Sequence, residues 1–396
     1  MKQLEFGVIL LALMLAAMAI VPVVSAQDAE PSSGSFQIIE SNYVTKDTAT
    51  TEAHEALVQF SANGLLDKTF TGAMVNPEPA TIYDINGMKL FYLFSVENGK
   101  ENVGEIKIAA SKVLGAPVIS IGMGPGPINR AELERKVADI LRKQGMNPDL
   151  STARLVCYEY PRIGMMVGEP GNQNTAVVDA YEYSVIPVSE QTSFYGSFSS
   201  SAMSSGIAKW NAQAVTENGI TTFTVSPHAT VSKTLSGFTL YPQQGTNWCA
   251  FAAAQMISQW YGYYRTQQQI ASTVGVSPDN GATEAQMRDG YYKKSTTQGG
   301  LGKGGTYVLP GSPSNLYDLI KTEIDGSRPL VINIGIQPGQ STNYHARACA
   351  GYSRDTISQN TYFYIYNPWP VNVGSLTWEQ WFGGSSPYTS SIFVKN

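Results

Sequence analysis

Residues 241–262 read YPQQGTNWCAFAAAQMISQWYG, and this stretch decides the fold predicted for the second half of the chain. It begins as a turn-prone loop rich in Gln and continues as a run of good helix formers. Asn247 is a natural N-cap residue, so Cys249 is expected in the first turn of the helix. Apolar residues repeat at helical spacing and predict the buried face of this helix: Ala253, Met256, Ile257 and Trp260.

Cys249 is predicted to be a nucleophile because of its place at the start of this helix. The first turn of a helix has backbone N–H groups without partners and carries the positive end of the helix dipole, and both stabilise a thiolate. A cysteine elsewhere in a helix is more often an inert core residue. The position of Cys249 behind a Gln-rich loop favours the nucleophile.

His345 is the predicted general base. The second half of the chain contains two histidines, His228 and His345. His345 lies in a strand-like segment at 344–352, and a second strand pattern follows at 361–369. If the two segments pair as an antiparallel hairpin, His345 lies directly opposite Asn367.

Asn367 is the predicted orienting residue for the base. A side-chain amide can accept one ring N–H and hold the other ring nitrogen toward a thiol. Trp369, two residues further along the chain, is expected to shield that bond from water. An Asn-Pro pair commonly just begins a turn, but here the strand pairing and the residue order agree. The sequence therefore predicts Cys249, His345 and Asn367 as nucleophile, base and orienting residue.

Gln243 is predicted to stabilise the oxyanion. It lies six residues before Cys249, and its side-chain amide can join the backbone N–H of Cys249 around a developing negative charge. Gln244 is the alternative for this role, because it is the neighbouring residue of the same type.

The remaining cysteines and histidines offer little other chemistry. Cys349 follows His345 by four residues and is expected to be buried packing. A disulfide between Cys249 and Cys349 is conceivable in an exported protein and would silence the nucleophile, but 3 cysteines cannot form a disulfide framework. The sequence contains no C-x-x-C or H-x-x-x-H pair, so no metal and no cofactor are expected.

These five residues together resemble the papain-like cysteine peptidases, in the order oxyanion Gln, nucleophile at the head of a helix, base on a strand, and orienting Asn followed by a shielding Trp. The local sequences QQGTNWCA and YNPW are most similar to the secreted staphopain-like and double-glycine-peptidase-like (bacteriocin-processing-type) branches. The Cys-Gly-Ser-Cys-Trp sequence of plant papain is absent. The resemblance covers residues 225–396.

The resemblance implies an α+β fold, in which the helix that begins near Cys249 packs on an antiparallel sheet or half-barrel carrying His345 and Asn367. The sequence pattern agrees with this fold. It predicts helices at 283–293 and 315–323, and strands at 329–336, 344–352, 361–367 and 391–394.

The resemblance also implies a zymogen. Residues 231–396 are then the papain-like peptidase domain, and residues 27–195 are an α+β propeptide-like domain that acts as an intramolecular inhibitor or folding aid. Residues 196–230 are expected to be a linker and the start of the mature chain, because residues 188–206 are rich in serine and almost free of charge. Patterns in the first half predict helices at 51–60 and 130–144, and strands at 89–96, 104–109 and 117–121.

Residues 1–26 have the pattern of a secretory signal peptide. Lys2 precedes an apolar run, and small residues at 24–26 mark a cleavage site. The alternative is a retained membrane anchor, since the apolar stretch is close to the lower length limit for spanning. We expect a secreted or cell-surface protein without stable membrane insertion after cleavage. With 26 Lys and Arg against 31 Asp and Glu the net charge is −5, which argues against a nucleic-acid partner.

The expected activity is hydrolysis of a peptide or protein substrate by a secreted cysteine endopeptidase. The same three residues also serve other acyl transfers, such as cell-wall peptide amidase or transglutaminase chemistry. A non-catalytic exported binding module is a third possibility, because aromatic residues are 11% of the chain and suit surface contacts.

Overall fold

The structure of the chain is a computed structural model that describes residues 33–396 except 125, 127, 173–174, 215–227, 312, 336–343 and 381–386. The predicted signal peptide at 1–26 lies outside the described residues. We call residues 33–214 the N-terminal part and residues 228–396 the C-terminal part. None of the described helices is both long enough and apolar enough to cross a membrane.

The fold is mixed α+β, and both parts contain helices and strands. The α-helices of the described residues are α1 (Ser33–Ser41), α2 (Lys46–Ala62), α3 (Arg130–Lys143), α4 (Ser200–Ala214), α5 (Cys249–Trp260), α6 (Gln267–Val274), α7 (Glu284–Met287) and α8 (Leu316–Asp325). The strands of the N-terminal part are β1 (Met74–Val75), β2 (Ala80–Asp84), β3 (Lys89–Asn98), β4 (Glu101–Ala109), β5 (Val118–Met123), β6 (Arg154–Glu159), β7 (Arg162–Val167), β8 (Ala176–Asp179) and β9 (Val185–Ile186). Those of the C-terminal part are β10 (Thr230–Thr234), β11 (Tyr307–Pro310), β12 (Leu330–Gly335), β13 (Tyr344–Asp355), β14 (Thr361–Asn367), β15 (Ser375–Gln380) and β16 (Tyr388–Phe393).

The strands of the two parts belong to one sheet. Its order is β11-β16-β12-β13-β14-β15-β5-β4-β3-β2-β6-β7-β8-β9, with β1 on β3 and β10 on β13. The pairings are antiparallel except that of β2 with β6. In the C-terminal part the sheet curls into a half-barrel, as expected for a papain-like peptidase domain.

Each part has its own hydrophobic core. One core contains the buried faces of α2, α3 and strands β2 to β8, and the other lies between α5 and the half-barrel. Helix α5 packs on β13 and β12. The contact is close because the facing side chains are small: Ala250, Ala253 and Ala254 on the helix, and Ala346, Ala348 and Ala350 on the strand, are all buried.

Most predicted elements are present, with small shifts of their ends. The predicted helix at 315–323 is α8, and the one at 130–144 is α3. The predicted strands at 329–336, 344–352 and 361–367 are β12, β13 and β14. The helix predicted at 283–293 is divided, because α7 ends at Met287 and a π-helical turn follows at Arg288–Tyr292.

The linker prediction is wrong for residues 196–214. A short 3₁₀ helix at Tyr195–Ser197 leads into α4, and α4 packs on the N-terminal core through Met203 and Trp210, which are 0% and 2% exposed. Serine is common in this segment, yet the apolar residues stand seven apart, at helical spacing. The rest of the expected linker, 215–227, lies outside the described residues.

The register predicted for the hairpin of β13 and β14 is also wrong. Ala348 pairs with Tyr366, whereas beyond a β-bulge Tyr352 pairs with Phe363. If the pairing of Ala348 with Tyr366 is continued along both strands, the position opposite His345 is 369, two residues beyond Asn367. The physical reason is the position of the turn: Arg354 pairs with Thr361, so the hairpin is centred between Ile357 and Ser358, whereas a pairing of His345 with Asn367 requires a centre at Thr356. The bulge between Cys349 and Gly351 then changes the register by one residue.

The bulge decides which face of the sheet each residue occupies. Side chains alternate between faces along a strand, so an odd shift in register moves a residue to the other face. If the register of Tyr352 with Phe363 continued along β13, Asn367 would oppose Ala348 and lie on the face away from His345. The observed register at Ala348 instead keeps Asn367 and His345 on one face.

Gly351 is required where the bulge meets β10. A Cβ atom at Gly351 would lie 2.8 Å from the carbonyl oxygen of Lys233 and 2.9 Å from Cβ of Tyr364. We therefore expect Gly351→Ala to lower the free energy of unfolding by about 1–3 kcal/mol, measured by urea denaturation. Gly304→Ala is the matched control, because a Cβ at Gly304 meets nothing within 4 Å. Equal stability of the two variants would contradict this account of the bulge.

Candidate active site

Cys249 is the first residue of α5, as predicted, but the cap of the helix differs from the prediction. The N-cap residue is Trp248, which makes no side-chain capping bond. Asn247 instead donates its side-chain N–H to the carbonyl of Asp279 at 2.7 Å, and the indole N–H of Trp248 donates to the Asp279 carboxylate at 3.0 Å. Asp279 thus fixes the loop before Cys249 by a long-range contact that the local sequence does not reveal.

His345 and Asn367 are in hydrogen-bond contact. His345 Nε2 lies 2.6 Å from Asn367 Oδ1, which also accepts the backbone N–H of Trp369 at 3.1 Å. Because a backbone N–H can only donate, the atom of Asn367 that faces both groups is its oxygen. His345 Nε2 is therefore the donor, and Nδ1 is the ring nitrogen left for the thiol.

The thiol of Cys249 lies beside the start of β13. Its Sγ is 4.0 Å from the carbonyl oxygen of Tyr344, the residue before His345. Cys249 and His345 are both half-buried. The fold therefore brings the predicted nucleophile to the residue that precedes the predicted base, although the two are far apart in the sequence.

Burial shifts the pKa of both groups toward their neutral forms. Loss of solvent raises the pKa of the Cys249 thiol, against smaller opposing effects of backbone N–H groups and Arg162. Burial also lowers the pKa of His345 to about 3, helped by the cations of Arg347 and Arg162 and opposed by the bond to Asn367.

Trp369 is buried beside Asn367 and is covered by the N-terminal part. It is 4% exposed, and the guanidinium of Arg162 lies 4.8 Å from the centre of its ring. The ring of Tyr181 meets it edge-on at 6.2 Å between centroids. Arg162 begins β7 and Tyr181 follows β8, so two segments of the N-terminal part reach this point.

The N-terminal part also contacts the loop before Cys249. Glu182 accepts the hydroxyl hydrogen of Thr246 at 3.1 Å, and Arg162 donates to the Thr246 carbonyl at 3.5 Å. Arg162 forms an ion pair with Glu159 at 3.0 Å, which holds the guanidinium in place. Sequence reasoning missed Arg162, Tyr181 and Glu182, because nothing in their local sequence marks them as neighbours of residues 64 or more positions away.

Gln243 is buried close to the site, but its amide N–H groups are already used. Nε2 donates to the carbonyls of Gly245 and Thr246, both at 2.8 Å, while the buried Oε1 has no hydrogen-bond partner among the described residues. The backbone N–H of Gln243 donates to the Pro368 carbonyl at 3.0 Å, which ties this loop to the residue after Asn367. Gln244 is exposed.

Gln267 is a second buried glutamine that sequence reasoning missed. Its Nε2 donates to the Pro242 carbonyl at 2.8 Å, and its Oε1 accepts the backbone N–H of Gln244 at 3.1 Å. It therefore fixes both flanks of Gln243 from helix α6. Its place in the run of three glutamines at 267–269 gave no signal of this contact.

The other candidates lie outside this arrangement. Cys157, Cys249 and Cys349 are free thiols, so the disulfide alternative is not present, and Cys349 is fully buried as expected. His228 pairs with Asp355 at 3.0 Å, at the opposite end of β13 from His345. In the part of the chain that the structure describes, no group of three or more His, Cys, Asp or Glu side chains can hold a metal ion.

Comparison with known proteins points to the same class of enzyme. Residues 235–381 match the model of the Peptidase_C39 like family. This range includes Gln243, Cys249, His345, Asn367 and Trp369, and the match supports a cysteine peptidase of the C39 kind. No curated protein matches the chain.

The lowered pKa of His345 predicts how stability depends on pH. An unfolded histidine titrates near 6.5, so between about pH 6.5 and pH 3 the unfolded chain binds more protons than the folded chain. The free energy of unfolding therefore falls as the pH is lowered through this range. We expect His345→Gln to lose part of this pH dependence, measured by urea denaturation at a series of pH values.

His54→Gln is the control for the same experiment, because His54 is exposed on α2. It should keep the slope of the unaltered chain. Parallel pH profiles for His345→Gln and the unaltered chain would show that His345 titrates normally in the folded state.

Proposed function

We propose that this chain is a secreted papain-like cysteine endopeptidase that is made as a zymogen. The contact between His345 Nε2 and Asn367 Oδ1, at 2.6 Å, carries the proposal. It gives the imidazole one orientation and leaves Nδ1 for Cys249, which is the arrangement that a thiol nucleophile requires. The start of α5 at Cys249 and the family match add independent support.

The reaction is acyl transfer from a peptide to water. His345 takes the proton of the Cys249 thiol, and the sulfur attacks the peptide carbonyl carbon to form a C–S bond. The C–N bond then breaks as His345 gives its proton to the leaving amine. Water, deprotonated by His345, hydrolyses the thioester and restores the thiol. These steps use Cys249, His345 and a water molecule, and require no metal or cofactor.

The oxyanion is stabilised by the backbone N–H of Cys249 and the side chain of Gln243. In the closed form both amide hydrogens of Gln243 are bound to carbonyls of its own loop. Substrate must therefore displace at least one of these bonds before Gln243 can donate to the oxyanion. The loop bonds and the cover over Thr246 are compatible with a latent enzyme.

The N-terminal part acts as the inhibitor in this proposal. Arg162 and Tyr181 cover Trp369, and Glu182 and Arg162 hold Thr246, three residues before the nucleophile. A peptide substrate that approaches Cys249 from this side meets these side chains. The sequence at 1–26 supports export of the zymogen, with a peptide or protein as its substrate.

Autoprocessing tests the proposed activity. We expect purified residues 27–396, kept under mild reductant, to be cut between residues 190 and 240, because the chain supplies both enzyme and substrate. Cys249→Ala and His345→Ala should slow the cut by several orders of magnitude, measured by intact mass over time. Equal cutting of the unaltered chain and Cys249→Ala, or near-normal turnover by His345→Ala, would contradict the assignment.

The role of Gln243 can be separated from that of its neighbour. We expect Gln243→Ala to lower kcat by about 10²–10³ with a smaller effect on KM, since an oxyanion donor acts in the transition state. Gln244→Ala is the matched control and should retain activity, because Gln244 is exposed. The measurement is steady-state hydrolysis of a peptide substrate. A larger loss for Gln244→Ala would transfer the oxyanion role to that residue.

A further inference from the structure

The two parts of the chain share a strand pairing that does not depend on the covalent connection between them. Strand β15 of the C-terminal part pairs with β5 of the N-terminal part through Leu376 with Met123, Thr377 with Gly122, Trp378 with Ile121 and Glu379 with Ser120. Without β5, one side of β15 would be an open sheet edge with unpaired N–H and C=O groups.

Trp378 crosses from the C-terminal part into the core of the N-terminal part. It is 0% exposed, and its indole N–H donates to the carbonyl of Leu65 at 2.9 Å. Its ring stacks on Tyr364 at 4.8 Å and meets Phe60 of α2 at 6.1 Å. A buried tryptophan of this kind removes about 150–250 Å² from water, so separation of the two parts would expose a large apolar surface.

Helix α2 also holds the first described residues of the C-terminal part. The Gln59 side chain bonds the backbone of His228 twice, from Nε2 to the carbonyl at 2.7 Å and from the N–H to Oε1 at 2.9 Å. Asn63, the C-cap residue of α2, donates to the same carbonyl at 2.9 Å and accepts from Thr230 at 3.2 Å. The backbone at 228–230 is thus fixed to the N-terminal part.

The residues that precede the segment 215–227 are also fixed to the N-terminal part. Helix α4 ends at Ala214, and its residues Met203 and Trp210 are buried in the N-terminal part. Gly206 of α4 approaches the backbone at Val113 so closely that an added Cβ would overlap the Val113 carbonyl. A cut between Ala214 and His228 therefore separates two segments that are each anchored to the same body.

We infer that cleavage between Ala214 and His228 leaves the two parts together, as a two-chain protein in which β5 still completes the sheet at β15. Release of the N-terminal part needs a further event that breaks the shared core at Trp378. On the basis of the proposed function, the cut alone leaves Arg162 over Trp369 and the active site covered.

The experiment places the recognition sequence of a site-specific protease between Ala214 and His228 in the full chain carrying Cys249→Ala, which prevents self-cutting. After complete cutting, gel filtration in native buffer should give one peak that contains both pieces, with the retention of the uncut chain. Two separate peaks at micromolar concentration would overturn the inference.

The variant Trp378→Ala tests whether the contacts of Trp378 hold the two cut pieces together. We expect it to weaken the association of the cut pieces by at least about thirtyfold, measured as the dissociation constant on dilution. Trp260→Ala is the matched control, because its indole N–H also donates to a backbone carbonyl, that of Ser327, within the C-terminal part. If Trp378→Ala does not fold, the double variant Gln59→Ala and Asn63→Ala replaces it and should also weaken association. Unchanged association in the variant that is used would contradict the assigned contacts.

A second readout separates this inference from the proposed function. The cut protein with its native Cys249 is treated with a thiol-directed peptidase inhibitor and should react as slowly as the uncut chain. Fast reaction while the pieces remain together would overturn the inference that the cover stays in place. If the pieces separate and Cys249 is reactive, the inferred association of the two pieces is wrong, but the proposed peptidase function stands. A Cys249 that never reacts faster than a free thiol, even after separation in urea and return to buffer, would instead reject the proposed function.

Discussion

The pairing of β13 with β14, including its bulge, is the constraint on which the rest of the site depends. The bulge between Cys349 and Gly351 puts His345 and Asn367 on one face of the sheet. The small side chains of β13 then let α5 approach, so that Cys249 lies beside the carbonyl of Tyr344. A change of one residue in this register would separate the base from its orienting partner while leaving the strands intact.

The second organising feature is that one sheet passes through both parts of the chain. The β5–β15 pairing and Trp378 join the two hydrophobic cores, whereas Arg162 and its neighbours cover the loop beside Cys249. These contacts have different physical characters. The sheet contact combines backbone pairing with the buried ring of Trp378, and the cover consists of polar groups and a cation over an aromatic ring. The cover is therefore the weaker of the two contacts.

The sequence predicted those features that arise from local pattern. Helix propensity and apolar spacing located α5 and α3, and alternation located β12 to β14, because these signals lie within each segment. The cap of α5 could not be predicted, because Asn247 bonds Asp279 rather than the helix. The bulge could not be predicted either, because it lies where β10 closely approaches Gly351. The helix at Ser200–Ala214 was missed because its serine content outweighed the spacing of Met203 and Trp210. The contacts of Arg162 depend on tertiary structure alone.

The central claim is that Cys249 is a nucleophile activated by His345. The most direct measurement uses the chain cut between Ala214 and His228, with its two pieces separated in urea and returned to buffer apart. Each piece is treated with a small thiol-directed peptidase inhibitor under mild reductant, its intact mass is followed, and the modified residue is located by peptide mapping. The account predicts that Cys249 is modified faster than a free thiol, that the buried Cys157 and Cys349 are not modified, and that His345→Ala abolishes the advantage. Modification of Cys249 at the rate of a free thiol, unchanged by His345→Ala, would contradict it.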